Sequence, residues 1–307
     1  MNVSNPTFSV AVVTYNRASL VTRALDSVLT QTRSDYEIVV LDNDSHDGTA
    51  ELIANRYPQA RLVRLARNLG CPEGRNHLYA NCRGEFIVNL DDDGWMSPDL
   101  LDRLEAVFRQ DERIGVVAMR QSFPEGGVNA GRAMSAQFQD VGVFVGCASA
   151  LRRSMLAETG AFPSDFFLFA EESYLALRAL DAGYRIVSAP DIIMWHPHIG
   201  GSHIDNRRDY QLFRNPMLVT LRLYPLGYLL TYLPGRMVLN FFHAVRRRSV
   251  WSYFRALSSV LVQLPATLLT RRPVGSDAVA KHLGARKAWV VFKHPTPKDS
   301  SLGAEVS

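Results

Sequence analysis

Cysteine is scarce. Only Cys71, Cys82 and Cys147 occur among 307 residues, an odd number at no metal-ligand spacing. That argues against a disulfide framework and for a reducing compartment. The opening residues Met1 to Pro6 lack a charged segment followed by an apolar one, so no signal peptide is expected and the chain is placed on the cytoplasmic side. Acidic residues run short at the other end. Residues 206–307 hold 16 Lys+Arg against 4 Asp+Glu, a net of +12, whereas residues 1–205 hold 18 against 26, a net of −8. An acidic first part is joined to a basic, apolar second part. No nucleic-acid recognition motif accompanies the positive charge, so no nucleic-acid partner is expected.

Long apolar runs are present but broken. Arg222, Pro225 and Pro234 interrupt the run around Leu218 to Leu233, and Arg255 and Pro265 interrupt Val250 to Thr270. Arg246-Arg247-Arg248 lies between the two. Such helices suit the plane of an anionic membrane better than a crossing. A helical lid packed on the rest of the chain is the other reading. Residues 206–295 are therefore expected as a basic, apolar helical extension that associates with an anionic membrane surface. Residues 296–307 are expected as a disordered tail, and the protein as peripheral at the inner membrane face.

What is abundant is β-branched strand followed by helix. Phe8-Ser9-Val10-Ala11-Val12-Val13-Thr14 is continuous and apolar, as in a strand covered on both faces, and Leu20, Ala24, Leu25, Val28 and Leu29 follow at helical spacing. Tyr36 to Leu41, Arg61 to Leu65 and Phe86 to Leu90 repeat the strand pattern, with a helix expected from about Thr49. Alternation of this kind specifies an α/β fold with a mainly parallel sheet and helices on both faces. Ligands of such sheets bind beyond the carboxyl ends of the strands, where Thr14-Tyr15-Asn16, Asp42-Asn43-Asp44 and Asp91-Asp92-Asp93 all fall. Further on, Ile114 to Met119, Val141 to Gly146 and Tyr184 to Ser188 read as strands, Ser122 to Gln139 as a mobile loop, and Leu151 to Leu156 as helix.

Three adjacent carboxylates repel one another and resist desolvation. A divalent cation with a polyanionic ligand relieves both penalties, and hard oxygen ligands suit Mg²⁺ or Mn²⁺ shared with substrate phosphates. The alternative is an acidic turn before a helix capped by Ser97 and opened by Pro98.

The ordered motifs extend this reading. Val13 to Arg17, then Asp42 to Thr49, Asn68-Leu69-Gly70 with Gly74-Arg75-Asn76, Leu90 to Asp93, Gly160-Ala161-Phe162, Glu171-Glu172 and Trp195-His196 follow one another in a known sequence. Over residues 7–205 the chain resembles the family 2 glycosyltransferases, which have the GT-A fold. The resemblance implies a GT-A domain over 1–205, with a nucleotide-binding half (1–110) and an acceptor half (111–205). It implies a metal-dependent enzyme that moves a sugar, with inversion, from a nucleotide-diphosphate sugar to a saccharide or lipid-linked acceptor in cell-surface polysaccharide or glycolipid biosynthesis. A nucleotidyltransferase is the rival enzyme, disfavoured because no Gly-rich, Lys-bearing phosphate loop follows the first strand. A non-catalytic nucleotide-sugar-binding protein is the other rival.

Roles follow residue by residue from the resemblance. Asp91 and Asp93, two apart on an extended chain and so on one side, hold Mn²⁺ or Mg²⁺ with His196 as third ligand; His198 and His203 compete for that place. Asp92 turns toward ribose or sugar, or is a solvated acid. Thr14, Tyr15, Asn16, Asp42, Asp44, Asn68, Gly70, Arg75 and Asn76 complete the nucleotide-sugar site. Asn16 has helix capping, and Arg75 a surface ion pair, as the bland alternatives. Glu172 is the general base and Glu171 shapes the acceptor site. Here the chain departs by one methylene from the family's Glu-Asp, and a place near a helix N-terminus suits a carboxylate base.

Overall fold

Continuous apolar strands bury alternate side chains on opposite faces, and each face needs its own helices. The structure, a computed structural model, describes residues 5–123, 131–132, 135, 137–197 and 206–292. Strands β1 (Phe8–Thr14), β2 (Tyr36–Asp42), β3 (Ala60–Arg64) and β4 (Phe86–Asp91) pair in parallel in the order β3-β2-β1-β4. Helices α1 (Val21–Leu29), α2 (Thr49–Arg56), α3 (Gly70–Ala80) and α4 (Leu100–Phe108) connect and follow them. Val10 and Val12 join Leu25, Val28 and Leu104 in one core, while Ala11, Val39 and Leu41 meet Leu78 in the other.

The second half completes a ten-stranded sheet, the principal order being β3-β2-β1-β4-β9-β6-β10-β5. Its members are β5 (Trp95–Met96), β6 (Ile114–Ser122), β7 (Gly131–Arg132), β8 (Gln139–Val141), β9 (Ser149–Arg152) and β10 (Arg185–Trp195), with helices α5 (Arg153–Thr159) and α6 (Glu171–Asp181). Two expectations fail here. The strand predicted over Val141 to Gly146 contributes only Val141, and Leu151-Arg152 belongs to a strand, the helix starting at Arg153. Tertiary context overrides local propensity. β9 runs antiparallel between β4 and β6, and the buried Arg152 guanidinium donates to the carbonyls of Ile114 (2.9 Å) and Phe108 (3.0 Å). The reversal has a consequence for the site. Because Ser149 pairs with Asn89, the turn Gly146–Ala148 lies at the carboxyl edge of β4.

Most of the predicted loop Ser122 to Gln139 lies outside the described residues, as do His198, His203 and 296–307, but Gly131–Arg132 pairs with Gln121–Ser122 as β-structure. The predicted boundary at 205/206 adjoins 198–205, also outside them. From Asn206 four helices follow: α7 (Asn206–Leu223), α8 (Leu226–Arg246), α9 (Val250–Thr270) and α10 (Ser276–Phe292). Among the described residues no helix is long and apolar enough to cross a membrane. The helices are not a separate body. Phe213, Leu218, Ala256 and Val260 share a core with Phe166 and Leu177, the latter on α6.

Charge fastens this seam. Asp165 receives Arg222 at 2.7 Å and Arg214 at 3.1 Å. Burial pushes its carboxyl up, but the two guanidiniums outweigh burial and hold it below the ordinary aspartate value of 3.8. A depressed carboxylate contributes stability that is complete above its unfolded pKa and lost as pH falls through its folded one. Acidification below about pH 4 is therefore expected to loosen α7. Asp165→Asn is expected to cost about 1–2 kcal/mol at pH 7, reduced by the partial exposure of the pair. Denaturant unfolding at pH 7 and pH 3 checks both, and a variant that loses as much stability on acidification as the wild type refutes the assignment to Asp165.

Candidate functional site

The carboxyl edge of β1, β2 and β4 carries the polar motifs, and tertiary pairing brings the rest to it. β5 pairs antiparallel with the end of β10, Trp95 opposite Trp195, and the two indoles stack at 6.2 Å with Arg23 over Trp95. A register shift in β10 between Ala189 and Ile193 re-aims its last residues toward that pairing. His196 thereby reaches the triple aspartate from a hundred residues away. Its Nε2 lies 3.1 Å from Asp93 Oδ1 and 3.5 Å from Asp91 Oδ2. Asp91 and Asp93 do converge, but through a turn closed by the Gly94 N–H on the Asp91 carbonyl (2.9 Å) rather than by extended alternation. Ser97 does not cap the next helix, which begins at Leu100, and instead donates to Asp99 at 2.7 Å.

The arrangement suits a cation. His196 Nδ1 meets the Pro197 carbonyl at 2.9 Å, so its proton belongs there and Nε2 faces two carboxylates. That nitrogen needs a proton or a metal between it and the acids. Burial lowers the imidazole's affinity for a proton, but Asp91 and Asp93 outweigh burial and raise its pKa to about 10. Burial raises Asp91, yet His196 and Arg75 together hold it below its ordinary value. Cys147 also comes close: ligand atoms of Asp91, Cys147 and His196 lie within 4.8 Å of one another. Burial pushes its thiol well up, and a neutral thiol is a poor ligand for a hard ion. Two carboxylates and an imidazole therefore fit Mn²⁺ or Mg²⁺.

Asp92 is buried, which rules out a solvated acid. Burial, then the charges of Asp91 and Asp93, raise it to about 7, and Arg17 lies 3.9 Å away. Asp42 is buried too. Its Oδ2 accepts from the Ser45 N–H at 3.2 Å, while Oδ1 has no hydrogen-bond partner among the described residues, as a carboxylate awaiting a ligand donor would be. Thr14 is buried beside it and the Tyr15 ring is exposed.

Other predicted donor residues are occupied locally. Asn16 and Asp44 have left-handed backbones, with φ of 53° and 73°. Asn16 does not cap α1, since its Oδ1 receives the His46 N–H at 2.8 Å, and Asp44 faces His46 at 3.5 Å. Asn68 accepts from the Gly70 N–H (2.9 Å), and Asn76 exchanges two 2.9 Å hydrogen bonds with the Phe162 backbone. Gly70 has φ +83°, and a Cβ there would overlap the Phe167 carbonyl. Arg75 is buried rather than at the surface and pairs with Asp91 at 2.8 Å.

Glu171 and Glu172 open α6. Glu172 Oε1 accepts from the Gly146 N–H at 3.1 Å, on the turn that β9 delivers to this edge. Glu171 is buried with Oε2 unpartnered among the described residues, and burial, then the neighbouring Glu172 charge, raise it above its ordinary value. The approach to α6 is strained: Phe169 and Ala170 both have positive φ, 71° and 69°. Asn215 of α7 braces that turn, donating to the carbonyls of Leu168 (2.8 Å) and Phe169 (3.1 Å). Asn215→Ala is expected to cost about 2 kcal/mol and to lower turnover with donor affinity unchanged. Thermal unfolding beside donor titration tests this, and an unaltered melting temperature would count against the brace.

The model described as Glycosyl transferase family 2 matches residues 9–160. That stretch belongs to the family. Succinoglycan biosynthesis protein ExoO of Rhizobium meliloti is 38% identical over 100 residues, covering 32% of this chain and 29% of ExoO. Chondroitin synthase of Escherichia coli is 30% identical over 114 residues, covering 36% of this chain and 17% of its own. The chain thus matches less than a third of either relative's length. Glycosyltransferase AglE of Haloferax volcanii is 26% identical across 64% of this chain and 69% of its own. Among solved structures, a mannosyltransferase of Pyrobaculum calidifontis in complex with GDP-Man and Mn²⁺ has a TM-score of 0.60 at 24% identity, covering 95% of this chain and 82% of that one. Staphylococcus aureus TarS 1-349 in complex with UDP-GlcNAc has 0.64 at 17%, covering 94% and 93%. The fold is GT-A, with a helical C-terminal region.

Several residues of this family 2 domain escaped the sequence reading. Asn43 is buried and ties β2 to α3, accepting from the Leu69 N–H and donating to the Gly70 carbonyl, both at 3.0 Å. Gly146 approaches both Arg75 and Glu172, and a Cβ would overlap the guanidinium. Asn43 stood inside a quoted motif, whereas nothing local marks Gly146 or Asn215.

Proposed function

We propose that the chain is a metal-dependent inverting glycosyltransferase that moves a sugar from a nucleotide-diphosphate sugar to a saccharide or lipid-linked acceptor in cell-surface polysaccharide or glycolipid biosynthesis. The convergence of Asp91, Asp93 and His196 Nε2, at one sheet edge with Glu172, carries this reading. The GDP-Man and UDP-GlcNAc complexes of the structural neighbours support the donor class. Asp42 holds the nucleoside through its free oxygen, with Thr14 and Tyr15 beside it, and Asp92 meets ribose or sugar. Asp91, Asp93 and His196 would hold an Mn²⁺ or Mg²⁺ ion, which would supply positive charge beside the diphosphate leaving group. Glu172 takes the proton of the acceptor hydroxyl as its oxygen bonds to the anomeric carbon, and the bond to the diphosphate breaks on the opposite face. Calorimetric titration of UDP-, dTDP- and GDP-sugars with and without Mn²⁺ tests the reading. Metal-dependent binding of one donor is expected, and binding of none refutes it.

The partner surface is an anionic membrane at the inner face, met in plane. Residues 210–276 carry nine arginines and no acidic residue. Helices α8 and α9 expose Leu230, Leu239, Phe242, Trp251, Val262 and Leu269, the last three at 78%, 82% and 88%. So much apolar area on neighbouring helices, edged by arginine, matches an interfacial surface. Co-sedimentation with anionic vesicles is expected to fall about 10–100-fold in Trp251→Ser/Val262→Ser/Leu269→Ser, and to weaken with salt. Wild-type protein that ignores such vesicles refutes the surface.

A further inference from the structure

Cys147 has no part in the roles above, yet the fold delivers it to the same edge. It lies in the turn Gly146–Ala148, which the antiparallel pairing of β9 sets beside the end of β4, and it is buried. That turn is braced on both sides. The Gly146 N–H donates to Glu172 at 3.1 Å, and the Gly146 carbonyl accepts from Ser149 Oγ at 2.9 Å. Cys147 Sγ and one ligand atom each of Asp91 and His196 all lie within 4.8 Å of one another. A second observation points to the same place. Asp93 is only 8% exposed, and its Oδ1 makes no aligned hydrogen bond among the described residues, although His196 Nε2 stands 3.1 Å away.

Around one tetrahedral ion, with bonds of about 2.0–2.3 Å, ligand atoms stand roughly 3.3–3.8 Å apart. His196 Nε2 is already near that spread, at 3.1 Å and 3.5 Å from the two carboxylates. The sulfur joins it by a side-chain shift on the order of 1 Å. Thiol, imidazole and carboxylate together are a donor set for a borderline ion such as Zn²⁺ or Co²⁺ and a poor one for Mg²⁺. Beside a hard ion the thiol keeps its proton and stays outside the shell. When a borderline ion bonds to sulfur, the S–H bond breaks and the proton leaves to solvent.

We propose that Cys147 is a further metal ligand, through which Asp91, Cys147 and His196 capture Zn²⁺ or Co²⁺ in competition with Mn²⁺ or Mg²⁺. The inference rests on the cation site of the glycosyltransferase reading and adds a discrimination between metals to it. Asp91 and His196, once in the thiolate-bearing shell, are lost to an ion shared with the diphosphate. Thiophilic ions are therefore expected to block the donor site at its metal.

Absorption titration of the full chain with Co²⁺, in the absence of donor, tests it. The wild type is expected to show a thiolate-to-cobalt charge-transfer band that saturates at equimolar Co²⁺ and is abolished by Zn²⁺. Cys71→Ser is expected to keep the band and Cys147→Ser to lack it. Calorimetry is expected to show Zn²⁺ bound at least about tenfold more weakly by Cys147→Ser, with Mn²⁺ affinity within about twofold of wild type. Absence of the band from the wild type overturns the proposal and needs no variant to fold. A band that survives in Cys147→Ser or Cys147→Ala overturns it too, as does unchanged Zn²⁺ affinity. Co²⁺ affinity unaltered in His196→Ala places the ion elsewhere and overturns the shared centre. Mn²⁺-dependent donor binding by the wild type reports on the glycosyltransferase reading alone, so the two can fail independently.

Discussion

Glu172→Gln is expected to lower turnover by about 10²–10⁴-fold while leaving donor affinity within about twofold. The amide is nearly isosteric, and its oxygen can still accept from the Gly146 N–H, so the geometry of the α6 N-terminus survives. What disappears, under the proposed base role, is the ability to take a proton from the acceptor hydroxyl as it attacks. Glu171→Gln is expected to behave differently. That carboxyl is buried with an unpartnered oxygen, and its charge is disfavoured first by burial and then by Glu172, so neutralising it removes a burden on folding. Glu172→Asp restores the shorter acid usual in the family and tests reach, with turnover expected between wild type and Gln. Rates, donor titrations and melting curves on the three variants distinguish the roles, and wild-type turnover in Glu172→Gln eliminates the base assignment.

Asp93→Ala is expected to weaken Mn²⁺-dependent donor binding by about 100-fold or more, with metal-free binding unchanged. Asp93 is buried and lies closer than Asp91 to His196 Nε2, so its loss removes a side of the proposed cation site that water cannot replace with equal charge. His196→Ala is expected to cost less, about tenfold, because both carboxylates remain. Arg75 sharpens the comparison. It already pairs with Asp91, so Asp91→Ala would both open the metal site and strand a buried guanidinium, with a stability cost that Asp93→Ala lacks. Donor titration with and without Mn²⁺ reads the effect. An Asp93→Ala protein that binds donor with metal as the wild type does rules out the ligand.

The fold's first half was legible because its code is local. Phe8 to Thr14 and Tyr36 to Leu41 are β-branched runs too apolar to face water, and both became buried parallel strands. The second half was read less well because its strands do not alternate with helices. Leu151-Arg152 has no local signal for a reversed strand; its place between β4 and β6, antiparallel to both, is set by tertiary pairing. The burial of Arg75 was not legible for a related reason. An arginine is presumed exposed until the fold supplies buried acids, here Asp91, and no residue near it in sequence shows that one will arrive.

The sequence by itself determined the parallel α/β edge, the cluster of acids at its carboxyl end and the split between an acidic first part and a basic second one. These follow from residue type and short spacing. Only the tertiary structure decided which atoms meet. The pairing of Trp95 with Trp195 carries His196 to Asp93, the reversed β9 sets Gly146 under Glu172, and Asn215 of α7 holds the turn before Glu171. Each contact joins residues 26 or more apart, whose approach is fixed by sheet order and packing rather than by any local preference of the chain.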